Sequence, residues 1–333
     1  MRRKLLVLSM VLLGAFSTNY SFSSNNHNDI SKNNKKTTKT LLQTCSEGFE
    51  PPQILANLED NDVNESSGVV ASRLNTGIYW THNDSGDGPY IYAFDNRGKK
   101  RGVWKVKHAT AIDWEDIAIG PGPKPGKSYL YTSDTGNNLR ARQELVVYQF
   151  LEPKISSQDA TTPKSNAKLT KPANTIRLKY PDGVYDAEAL LIHPKSGDLY
   201  IITKPLRPST GEVARVYKVA APLSSTSINT MQFVTTLPLP LQNTDQQKIN
   251  GADIAPNGQQ VILSDYERGY ELCLENGDSN FDNIWKQTPQ PLELNTRKQG
   301  ESICYRLDAN AVLTTSEGLN QPIAEMLRKG VSK

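Results

Sequence analysis

The stretch Asp186-Ala187-Glu188-Ala189-Leu190-Leu191-Ile192, followed across a glycine turn by Leu199-Tyr200-Ile201-Ile202-Thr203-Lys204, decides the fold, because the chain repeats its plan four more times. Each copy sets a carboxylate at the head of a short apolar run, turns, and closes a second apolar run on a charged residue. The other copies are Asn64-Glu65-Ser66-Ser67-Gly68-Val69-Val70 with Tyr79 to Asp84, Trp114-Glu115-Asp116-Ile117-Ala118-Ile119 with Tyr129 to Asp134, Gly251-Ala252-Asp253-Ile254 with Val261 to Asp265, and Gly300-Glu301-Ser302-Ile303 with Val312 to Glu317. The leading acids Glu65, Glu115, Glu188, Asp253 and Glu301 stand about 50, 73, 65 and 48 residues apart, a spacing that belongs to propellers and solenoids.

A third alternating run follows in four copies (Tyr90 to Phe94, Leu145 to Phe150, Arg215 to Val219, Tyr270 to Leu274). A fourth follows near Gly102 to Val106, Asn174 to Tyr180, Met231 to Leu237 and Pro291 to Leu294. Four short strands per repeat make a propeller blade. The reading is therefore all-β: a single propeller of five four-stranded blades over residues 49–333, with six blades as the alternative if Asn276 to Asn295 hides a degenerate unit. The last copy lacks a fourth run, and Pro322 to Arg328 reads as its third strand. Gln53 to Leu58 is the candidate to complete that blade and close the ring, since a ring leaves no bare edge only when its ends are joined. A helical alternative is weak: no window keeps a 3.6-residue period, and 20 prolines and 22 glycines punctuate the chain at turn spacing.

Residues 1–23 pair a basic start (Arg2, Arg3, Lys4) with an apolar centre (Leu5 to Phe16), the plan of a secretory signal cut after Ser17 or Ser23. The expected location is therefore secreted or periplasmic, with no integral membrane segment once the signal is removed and no lipid anchor. Without those three basic residues, 35 Lys and Arg face 35 acids, so no clustered basic excess points to nucleic acid. Residues 24–48 read as a disordered linker, and Ser156 to Lys171 as a similar polar insertion in the second blade. Of three cysteines, Cys273 and Cys304 fall on neighbouring blades and either pair or stay as buried thiols, with Cys45 left in the leader region.

Successive blade strands are antiparallel, so first-strand starts and second-strand ends share one face. The leading acids would ring the channel there, joined by Asp84, Asp134, Asp265 and Glu317, with Lys204 as the cationic entry. Oxygen ligands without His or Cys favour a hard cation, and irregular carboxylate geometry suits Ca²⁺. The expected metal set is Glu65, Glu115, Glu188, Asp253, Glu301, Asp84, Asp134 and Asp265; the competing reading is that these acids brace loop amides. Arg140, Arg142, Lys204, Arg207, Arg268, His108, Lys248, Arg297 and Lys298 lie on loops of the same face, where an anionic ligand would find them. Gly122 to Ser128 mimics a P-loop but is one residue short and leads into a strand, Asn64-Glu65-Ser66 and Asn83-Asp84-Ser85 match the glycosylation pattern at the proposed mouth, and no Gly-x-Ser-x-Gly elbow supports a serine hydrolase.

Asp186-Ala187-Glu188-Ala189-Leu190, His82-Asn83-Asp84-Ser85-Gly86, Asp113-Trp114-Glu115-Asp116 and Ser133-Asp134-Thr135-Gly136-Asn137-Asn138 together resemble the secreted phytase-like β-propellers, including the SdiA-regulated group. The likeness spans roughly Glu65 to Glu317. It implies Ca²⁺ near the axis. Three functions follow as expectations for what is expected to be a monomer. The first is a calcium-bearing propeller that binds a small, anionic ligand. The second is a calcium-dependent hydrolase of phosphate esters or lactones, with Glu115 or Glu188 activating water and Arg140 or Arg142 holding the anion. The third is a protein-interaction scaffold.

Overall fold

The computed structural model describes residue 45 and residues 48–206, 211–237 and 248–331. Its strands, numbered along the chain, form five sheets. Blade 1 holds β2 (Ser66–Ala71), β3 (Ile78–Asn83), β4 (Tyr90–Asp95) and β5 (Lys100–Lys105); blade 2 holds β6 (Trp114–Pro121), β7 (Ser128–Asp134), β8 (Leu145–Leu151) and β10 (Asn174–Lys179). Blade 3 is β11 (Ala187–Ile192), β12 (Leu199–Thr203), β13 (Arg215–Val219) and β15 (Gln232–Thr236). Blade 4 is β16 (Gly251–Ile254), β17 (Gln260–Ser264), β18 (Arg268–Cys273) and β19 (Gln290–Glu293). Blade 5 is β20 (Ser302–Tyr305), β21 (Ala311–Thr315) and β22 (Pro322–Leu327), with β1 (Gln53–Asn57) antiparallel to β22. The protein is an all-β, single five-bladed propeller.

The five first strands pack each against the next, and β20 packs back against β2, so they line the axis. Strand side chains alternate between faces, and here both faces are covered by neighbouring blades. In β11, Ala189 and Leu191 enter one apolar cluster with blade 4 residues, while Leu190 and Ile192 enter another with blade 2 residues. Each seam has its own cluster, and the first strands are consequently buried along almost their whole length.

Two expectations change, and the six-bladed alternative falls. Two blades carry a fifth strand: β9 (Lys168–Leu169), from the blade 2 insertion, runs parallel to β5, and β14 (Asn229–Thr230), from blade 3, runs parallel to β10. The polar insertion is thus built into the fold, its charges paired within it and with blade 1. Asp159 accepts from the Ser156 amide at 2.7 Å and pairs with Lys168, and Lys164 pairs with Asp87. The stretch from Asn276 to Asn295 holds a short 3-10 turn (Phe281–Lys286) and β19 rather than a sixth blade.

The disulfide joins Cys45 to Cys273, not Cys273 to Cys304. Cys304 sits on innermost β20, buried in the seam with blade 1, whereas Cys273 ends the third strand of blade 4, farther out, where the N-terminal segment passes. The expected signal and all of the expected linker except Cys45 and Gly48 lie outside the described residues. No described helix is long and apolar enough to cross a membrane.

Candidate functional site

Glu115 and Glu188 owe their position to backbone irregularity. The β6–β7 register slips between Trp114 and Ile117, and the β11–β12 register between Ala187 and Ala189. Such bulges re-aim the side chains they carry. An acid two residues earlier accompanies each: Asp113 with Glu115, and Asp186 with Glu188.

Ligand-capable oxygens then gather in three overlapping groups, each with its atoms within 4.8 Å of one another: Asp84, Glu301 and Glu317; Asp84, Asp113 and Glu115; Glu115, Asp186 and Glu188. Shared Asp84 and Glu115 link them into one chain of seven carboxylates. Lys204 ion-pairs with Glu188 and lies 5.5 Å over the Tyr266 ring.

Crowded, desolvated carboxylates hold protons. Burial, then the charges of Glu188 and Asp84, raises Glu115 well above the ordinary range. Burial lifts Glu188 up to about 8 against the pull of Lys204, and the charges of Glu301 and Asp186 add to the rise. Burial raises Asp84 to about 6, and burial plus a bond to Glu301 raises Glu317 to about 9. Asp113 and Asp186 are raised too, burial leading in both.

Two details leave room beside these groups. Asp186 is fully buried; its Oδ1 accepts from the Asn137 amide at 2.6 Å, while its Oδ2 has no hydrogen-bond partner among the described residues. A Cβ placed on Gly136 would fall 2.1 Å from Glu115 Oε1 and 2.2 Å from Asp113 Oδ2, so only glycine keeps that space open.

The remaining acids of the expected set are braces. Asp134 accepts from the amides of Ile112 at 3.1 Å and Asp113 at 3.2 Å and from Arg142 at 2.8 Å. Asp265 takes the amides of Glu267 and Arg268 and the Tyr270 hydroxyl. Asp253 bonds the Ile254 amide at 2.8 Å and, across the seam, the Tyr305 amide at 2.9 Å. Asp116 does the same two seams earlier, on Ile117 and Leu190. Glu65 forms a backbone bridge with Glu317, outside the three groups.

The expected cationic rim is largely committed elsewhere. Arg142 also bonds the Gly136 and Asp134 carbonyls, and Arg140 pairs with Glu212. Arg297 is part-buried and donates to the Asp265 carbonyl at 2.9 Å. Arg268 opens β18, His108 and Lys298 are exposed, Lys248 is part-buried, and Arg207 lies outside the described residues. Sequence reasoning missed Asp113 and Asp186 as cluster members, although their i, i+2 spacing to Glu115 and Glu188 was the available signal. It also missed Tyr266 and Gly136.

Fold and site together define a five-bladed propeller with a proton-rich carboxylate cluster at one end of its axis. No protein family and no curated protein matches the chain by sequence. Among solved structures it is similar to Kuenenia stuttgartiensis hydrazine synthase (12% identity, TM-score 0.41, covering 80% of this chain and 72% of that one) and to the Myceliophthora thermophila Cps50 (Swd1) β-propeller domain (12%, 0.43, 85% and 100%).

Proposed function

We propose that this is an extracytoplasmic, calcium-binding propeller of the phytase-like kind, whose axial carboxylates hold the ion and offer it to a small anionic ligand. Asp186 Oδ2 carries the reading. An unpartnered carboxylate oxygen inside a fully buried residue is costly, and it stands beside Glu115 and Glu188, both raised above the ordinary carboxylate range by burial. A hard cation would release their protons and take carboxylate oxygens, the donors calcium prefers. The core set is Asp84, Asp113, Glu115, Asp186, Glu188, Glu301 and Glu317, with Glu65 outside it and Lys204 placed to meet the ligand.

The Cys45–Cys273 disulfide supports an oxidising, extracytoplasmic location. Pairing of β1 with β22 supports a ring latched by its N-terminal strand. A hydrolase would need arginines free to hold a leaving anion. Arg140 and Arg142 are engaged by Glu212 and Asp134, so ligand binding is the better supported function.

Calorimetric titration of chelator-treated protein with Ca²⁺ tests the site. The parent binds, Asp186→Asn and Gly136→Ala bind about tenfold or more weakly, and Asp265→Asn binds like the parent. A parent that gives no saturable binding at millimolar Ca²⁺ ends the calcium reading.

A further inference from the structure

β2 and β6 both start at the carboxylate end of the axis, so the residues that follow them lie at the opposite end. There, between blades 1, 2 and 3, a cavity of about 870 Å³ opens. That volume suits a small organic molecule. Its walls are apolar at Trp104, Leu151 and Pro194, and four cationic side chains line it: Arg73, Lys127, Lys154 and Lys171.

Two polar atoms in the lining residues are unsatisfied. Glu152 is 3% exposed; its Oε1 accepts from Ser72 and from Trp80 Nε1 at 3.0 Å, yet its Oε2 has no hydrogen-bond partner among the described residues. Ser128, whose carbonyl accepts from the Glu152 amide at 3.0 Å, has a buried hydroxyl in the same condition. Buried groups of this kind ordinarily find a partner.

The excess of cations over Glu152 selects an anion, the apolar walls require a hydrophobic body, and Glu152 Oε2 requires a donor. We propose that this cavity is a binding site for a small amphipathic organic anion carrying one N–H or O–H group. Arg73 and the lysines meet the anionic end, the Ser128 hydroxyl donates to it, and the ligand's donor meets Glu152. Inorganic phosphate, without an apolar body, would leave the Trp104 wall unused. This site is independent of the carboxylate cluster.

The dye 8-anilinonaphthalene-1-sulfonate has the required parts: aromatic rings, one sulfonate and one N–H. Titrated into the full chain and followed by fluorescence and calorimetry, it should occupy one saturable site. Reversing Lys127, Lys154 and Lys171 to Glu should weaken binding about tenfold or more, while reversing exposed Lys99, Lys286 and Lys329 should not. Glu152→Gln keeps an oxygen for Ser72 and Trp80 and offers the cavity a donor instead of an acceptor. It should therefore weaken the anilino dye relative to naphthalene-1-sulfonate, which lacks the N–H. No saturable binding, equal affinity in the lysine triple variant, or an equal effect of Glu152→Gln on both probes would overturn the assignment.

Discussion

Chelator-treated protein should lose stability as pH rises from about 6.5 to about 8, and calcium should cancel most of the loss. The folded chain keeps a proton on Glu188, whose carboxyl burial lifts from 4.5 to about 8, while the unfolded chain has released it. A raised carboxyl makes the native state the better proton binder, so its stabilisation is whole below 4.5 and gone once pH has risen through about 8. Each retained proton costs about 1.4 kcal/mol per pH unit, so Glu188 alone gives a fall of about 2 kcal/mol over this window. Glu115 acts in the same direction, part-buried Glu317 adds a screened share, and the brace Asp253, lifted to about 7 by burial, adds a smaller part that calcium does not reach. Buried His82, pushed down to about 4, has the opposite sign, but its effect is complete below about 6.5. Urea unfolding at both pH values, in chelator and in millimolar Ca²⁺, measures all four stabilities. Chelated protein that is equally or more stable at the higher pH, or calcium stabilisation that does not grow with pH, would refute a proton-loaded cation site.

Glu115→Gln should leave chelated protein at pH 8 as stable as the parent or more so, since it removes a carboxylate that has no ion-pair partner among the described residues from a crowded group, while calcium titration shows weakened binding. Asp253→Asn should cost about 1–3 kcal/mol in urea unfolding, because an amide can accept only one of the two backbone bonds, and should leave calcium affinity unchanged. Reducing the Cys45–Cys273 bond, or replacing Cys273 with Ser, should lower stability by about 2–5 kcal/mol, read as a lower melting temperature; a melting temperature unchanged by reductant would contradict the pairing.

The inner and second strands were legible because apolar runs buried on both faces leave an unmistakable composition, as in Leu190-Leu191-Ile192. The cluster was half legible. Glu115, Glu188, Glu301 and Asp84 were read from position alone, but the bulges at Trp114/Ile117 and Ala187/Ala189, which bring Asp113 and Asp186 beside them, depend on pairing with another strand. Asp253 lies inside β16, opposite Ile262 of β17, whereas Glu301 stands just ahead of β20, so Asp253 braces Tyr305 instead of joining the cluster. Arg142 misled for a related reason: the turn after Asp134 folds back on itself, and only its geometry shows the guanidinium capping that turn. The cysteine partner depended on radial position, which a linear spacing does not carry.

The short strands β9 and β14 do more than cover an edge. Each is donated by one blade to the sheet before it, tying blade 2 to blade 1 and blade 3 to blade 2. Phe281 packs on Tyr200 across the next junction, where Lys218 also meets Asp282. The segment that holds Cys45 on blade 4 goes on to pair with blade 5 and then enters blade 1. Linear repeat arrays melt from their ends, one unit at a time. Here every boundary between units is crossed by a piece of a neighbour, so the molecule has no terminal unit to fray first, and its parts are bound to yield together.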